Sequence, residues 1–128
     1  MKKIFVAIAA LALSASVSAK DLLSSTFNSC MDRSGGVTSE MINCIGAETE
    51  RQDAALNRNY RVAMKGLSLE RRQKLLTAQR AWLAYRKSEN DFTANPDGGT
   101  AASVNAADEF LQMTARRADE LANVADQR

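Results

Sequence analysis

AQRAWLAYRKSEN, residues 78–90, holds the only tryptophan of the chain and one of its two tyrosines. Alanine, leucine, arginine, glutamine and lysine dominate it, all good helix formers, and it contains neither glycine nor proline. Gln79, Trp82 and Arg86 recur at i, i+3 and i+7, so they share one helical face. The helical composition extends both ways, bounded by Gly66 before it and Pro96 after it. Ser68 is suited to cap the start, and Glu70 in the first turn suits the helix dipole. The spacing predicts a helix from Ser68 to Asn95, which Pro96 turns away from helical geometry.

Working outward, Gly35-Gly36 marks an earlier break. A helix is expected after Thr38 as N-cap and as far as about Lys65, carrying Met41, Ile45, Leu56, Tyr60 and Met64. A first helix over Asp21–Asp32 presents Leu22, Leu23, Phe27 and Met31. A fourth over Ala101–Val124 presents Val104, Phe110, Leu111, Met113 and Leu121. Few stretches of alternating Val, Ile or Thr compete for strand, so the fold class is all-α with about four helices. The link from Gly66 to Ser68 is short, which makes helices two and three a central antiparallel hairpin.

Folding the chain at that link brings Asp53 near Trp82 and Leu56 near Gln79. Asp53 and Asn57, spaced i, i+4, then face Gln79, Trp82 and Arg86. These five residues are expected to form a polar network that locks the hairpin, since a buried indole N–H and a buried guanidinium both need partners. The competing reading is a half-open groove in which Trp82, Tyr85 and an arginine meet a partner.

Lys2 and Lys3 precede an unbroken apolar run from Ile4 to Leu13, and the small residues that follow end in Val17-Ser18-Ala19. This is the pattern of a secretory signal peptide cut after about Ala19. It leaves residues 20–128 as one domain, periplasmic or secreted. The apolar run is too short for a bilayer, which needs about 20 residues, so no membrane span is expected. Cys30 and Cys44 are the only cysteines. In an exported chain they should pair, tying helix one to the start of helix two at about 3 kcal/mol.

The chain carries 17 basic and 15 acidic residues, and its net charge of +2 equals the contribution of Lys2 and Lys3. Residues 20–128 are therefore neutral and lack the basic stripe that nucleic-acid binding requires. The absence of histidine removes Ser-His-Asp and Cys-His catalysis and most catalytic zinc sites. With both cysteines oxidised and no glycine-rich phosphate loop, no metal or cofactor is expected. Glu48 and Asp53 could in principle serve as glycosidase acids. Such pairs arise readily by chance in acid-rich helices, so the protein is expected not to be an enzyme. Glu70-Arg71-Arg72, and Arg116-Arg117 with Asp119-Glu120, read as solvated faces. Arg33 and Ser34 before Gly35, together with Tyr85, are the candidate partner contacts.

Cys30, Cys44, Asp53-Ala-Ala-Leu56-Asn57-Arg-Asn-Tyr60, Gln79-Arg-Ala-Trp82-Leu-Ala-Tyr85-Arg86 and Thr114-Ala-Arg-Arg117-Ala-Asp-Glu120-Leu121 follow one another in order. This succession resembles the lysozyme inhibitor LprI family of small exported bacterial domains, over nearly all of residues 20–128. The resemblance implies a helical domain with a protein partner, lysozyme, and brings no inhibitory motif that maps to single residues. Family members often carry a second cysteine pair; Asn90 and about Glu109 stand in its place here. The expected function is a non-enzymatic periplasmic binding protein that inhibits lysozyme by inserting a side chain near Arg33 into an acidic sugar-binding cleft. The alternative is an envelope accessory module that binds another periplasmic protein through the helix 2–helix 3 face.

Overall fold

The structure, a computed structural model, describes residues 22–126; the expected signal segment lies outside them. Four α-helices follow one another: α1 (Ser25–Ser34), α2 (Thr38–Lys65), α3 (Leu69–Thr93) and α4 (Gly99–Asp126), with a 3₁₀ turn at Pro96–Gly98 before α4. No strand occurs among the described residues. None of these helices is long and apolar enough to cross a membrane.

The all-α class and the four helices match the sequence reading, while the starts of three helices differ and three ends shift by two residues. α1 starts at Ser25 and not at Asp21, because Ser24 caps it and its hydroxyl accepts the Phe27 N–H at 3.1 Å. Thr38 is the first residue of α2, and Val37 is the N-cap without a side-chain bond. α4 begins at Gly99, directly after a turn in which Asn95 accepts the Asp97 N–H at 3.0 Å. The expected cap of α3 is present, with the Ser68 hydroxyl accepting the Arg71 N–H at 3.4 Å.

Ile45, Glu48, Leu56 and Ala63 form the buried stripe of α2. Leu111, Thr114, Ala115, Ala118 and Leu121 form that of α4. The two stripes meet in the most extensive helix contact of the molecule. Ile45 clusters with Leu111 and Ala115, and Leu56 with Ala118 and Leu121. Further along, the Asn59 amide donates to the Ala118 carbonyl at 2.8 Å. Both sets of numbers rise together, so α2 and α4 run parallel. Ala115 and Ala118 add little side chain to the contact, which lets the backbones approach.

α3 runs back antiparallel to both. The groove between α2 and α3 is lined by Tyr60 and Leu76 toward one end and by Asp53 and Arg86 toward the other. This groove, about 320 Å³, keeps α3 further from α2 than α4 is. Leu75 and Trp82 reach inward to the Leu56–Leu121 cluster. α1 lies antiparallel on the first half of α2, joined by the Cys30–Cys44 disulfide with Cα atoms 5.7 Å apart. Its Phe27, with Leu23 just ahead of the Ser24 cap, completes the cluster around Ile45 and Leu111.

Candidate functional site

The turn between α1 and α2 is braced on both sides. Cys30 anchors α1 one turn before its end, and Gly35 and Gly36 supply φ values of 59° and 78° that other residues seldom adopt. Ser34 is buried; its hydroxyl donates to the Met31 carbonyl at 2.7 Å and accepts the Gly36 N–H at 3.4 Å. The expectation that Ser34 offers a partner contact is corrected here, because its hydroxyl is committed inside the turn. Arg33 and Val37 are the exposed side chains. Arg33 has no ion-pair partner among the described residues. Beside the turn, between α1 and the first half of α4, lies an open cleft of about 640 Å³ with Leu23 and Phe27 in its floor and Asp32 and Asp108 on opposite walls.

Arg86 occupies the centre of a second constellation. Its guanidinium carbon lies 4.8 Å from the Trp82 ring centre and 4.3 Å from that of Phe110. Nη1 donates to Asp53 Oδ1 at 3.2 Å and to Thr114 Oγ1 at 3.0 Å. The Thr114 hydroxyl donates in turn to the Phe110 carbonyl at 2.7 Å. A planar cation stacked between two rings keeps its edge free for hydrogen bonds, so one side chain joins three helices. Alongside, the Gln79 carbonyl oxygen accepts from Arg117 Nε at 2.9 Å, and Arg117 also pairs with Glu120 at 2.8 Å.

Among the five residues expected to form an α2–α3 layer, Asp53 and Arg86 meet directly. Trp82 stacks on Arg86 and also lies beside Arg117 of α4, and Gln79 bonds Arg117 rather than α2. Asn57 is exposed along the α2–α3 groove and takes no part in these bonds. Arg117, expected on a solvated face, belongs to the constellation, with a side chain only 16% exposed. The T-x-x-R spacing that places Thr114 and Arg117 on one helical face was the available signal for this. Tyr85 is 57% exposed. Asn90 shares a shallow cleft with Ala107 and Phe110, whereas Glu109 pairs with Arg116 at 3.3 Å.

Glu48 is the third feature, fully buried and ionised. Its Oε1 accepts the Ser24 N–H and the Gln52 amide, both at 2.9 Å, and its Oε2 accepts the Ser24 hydroxyl at 2.6 Å and Arg51 Nε at 2.7 Å. In a capping box the residue three places into the helix accepts the N-cap N–H. That position in α1 is Phe27, so Glu48 performs the task from α2. Burial pushes its carboxyl up, but the Ser24, Gln52 and Arg51 donors outweigh that effect and hold it below the usual carboxylate range. A carboxylate held this way has no proton to give, which removes Glu48 as a glycosidase acid. Among the described residues no three histidine, cysteine or acidic side chains stand together to hold a metal.

The family model described as lysozyme inhibitor LprI matches residues 30–121, and the chain belongs to that family. No curated protein and no solved structure matches the chain significantly.

Two outcomes are expected. Because the folded Glu48 carboxyl titrates below its ordinary value, its contribution is complete above that value and is lost as pH falls through the lowered one. Stability should fall as pH drops below the ordinary carboxylate range, and Glu48→Gln should flatten that fall while costing on the order of 2–3 kcal/mol at neutral pH. Urea unfolding of both proteins at neutral and acid pH checks this, and an unchanged slope in the variant contradicts it. Arg86→Ala should cost about 2–3 kcal/mol and lower Tm by roughly 10 °C or more. Arg86→Lys should recover little of the loss, since an ammonium cannot stack between two rings while bonding at its edge.

Proposed function

We propose that this member of the lysozyme inhibitor LprI family is an exported, non-enzymatic inhibitor of lysozyme that acts through the turn at residues 33–37. The observation that carries the proposal is the family match over residues 30–121, which begins at the cysteine bracing that turn. The basic and apolar pattern of residues 1–19 supports export to the periplasm or beyond.

A lysozyme cleft places two carboxylates about the scissile sugar bond. An arginine entering it would pair with them where substrate otherwise sits, and Arg33 is exposed and has no ion-pair partner among the described residues. The disulfide, the two positive-φ glycines and the inward-bonded Ser34 hold its backbone, so little ordering remains to oppose binding. The purified protein should slow lysozyme-driven clearing of a cell-wall suspension. Arg33→Ala should weaken inhibition roughly 30-fold or more while leaving the circular dichroism unchanged. Undiminished clearing with excess protein, across several lysozyme types, would overturn the proposal.

One observation favours the envelope-module reading as the second one. The α2–α3 groove stays open and pairs apolar walls, Leu76 and half-exposed Leu83, with Asn57 and Arg80 at its rim. Leu83→Arg separates the two readings, since it blocks the groove and leaves the Arg33 turn untouched.

A further inference from the structure

α3 carries apolar side chains on two distinct faces. Leu75, Gln79, Trp82 and Arg86 turn toward the rest of the molecule. A flanking face, about a third of a turn around the helix, is exposed along its length and includes Ala78, Ala81, Tyr85 and Phe92, with Tyr85 at its edge toward Arg116 of α4. Phe92 is 81% exposed, the highest among the large hydrophobic residues, and Tyr85 is 57% exposed. A helix that packs on one side only should be polar on the other. Positions 74, 78, 81, 85, 88 and 92 instead alternate spacings of four and three, which is the seam of a coiled coil.

We propose that this seam is an interface between two copies of the chain, packed antiparallel along α3. Side-chain size favours that pairing. In the antiparallel register Tyr85 packs over Ala81 of the partner subunit, and Phe92 lies along the aliphatic stem of Lys74 of the partner subunit. Charge selects the same direction. The start of α3 offers Arg71 and Lys74 against Glu70 alone, while its end offers Glu89 and Asp91 against Lys87. Antiparallel packing sets the cationic start against the acidic end at both places, whereas parallel packing sets like on like. Neither Arg71 nor Glu89 has an ion-pair partner among the described residues. Residues 74–92 span about 27 Å of helix. One helix face of that length lies near the lower bound for specific interfaces, so the dimer is reversible, with Kd on the order of 10 µM.

Sedimentation velocity of the mature protein from about 1 to 300 µM reads this directly, the range bracketing that Kd. The expected result is a concentration-dependent shift from monomer to dimer. Ala81→Glu, at an exposed position, should abolish the shift with unchanged circular dichroism. Ala84→Cys, beside the two-fold axis, should form an intermolecular disulfide, whereas Lys74→Cys, near one end of the seam, should not. A protein that stays monomeric throughout overturns the proposal, as does a dimer indifferent to Ala81→Glu. Cross-linking through Lys74→Cys as readily as through Ala84→Cys would overturn the antiparallel arrangement.

Discussion

Ile45 and Leu56 of α2 pack against Leu111, Ala115, Ala118 and Leu121 of α4 in a parallel contact between helices that are not neighbours in the chain. The rest of the structure depends on it. Two parallel helices cannot be joined by a tight turn, so the chain must return along α3 before α4 can take its place. The alanines on α4 keep this contact close, and the larger side chains fill the space on either side of it. α1 and α3 are then attached to the pair from opposite sides.

Those attachments are largely polar. α1 is short and buries only Phe27 among its large apolar groups, with Leu23 buried just ahead of its cap. What fixes its start is Glu48, which takes both the N–H and the hydroxyl of the capping Ser24, while the disulfide fixes its end. α3 buries little apolar surface, and the groove beside α2 stays open. Arg86 and Arg117 hold it by hydrogen bonds and ring contacts. A buried charge with its partners in place fixes one geometry, and removing a single partner leaves the remainder uncompensated. The exposed turn at Arg33 inherits its rigidity from the α1 anchors, which is how the fold supports the proposed inhibitory contact.

Much of the fold was legible in the sequence because its signals are local. Gly35-Gly36, Gly66, Ser68 and Pro96 mark the helix ends, and two cysteines allow one pairing. The candidate site was less legible because it is built across distance. Asp53 and Arg86 could be matched by counting back from a short turn, but nothing local reveals that Trp82 and Gln79 turn toward α4. Arg117 sits in a run of charges indistinguishable from a solvated face. Glu48 looks like any helical glutamate until α1 is laid over it. The early start assigned to α1 has the same origin, since the strength of the Ser24 cap is set by a residue 24 positions away.

The central claim is that α2 and α4 form the stable frame and that polar anchors hold α3 to it. Native-state hydrogen exchange tests this most directly, because it resolves the opening free energy of each helix. The account predicts that amides of α2 and α4 exchange only through global unfolding, while those of α3 exchange through an earlier, separate opening that Arg86→Ala makes easier. Protection of α3 equal to that of α2 and α4, unmoved by Arg86→Ala, would contradict it.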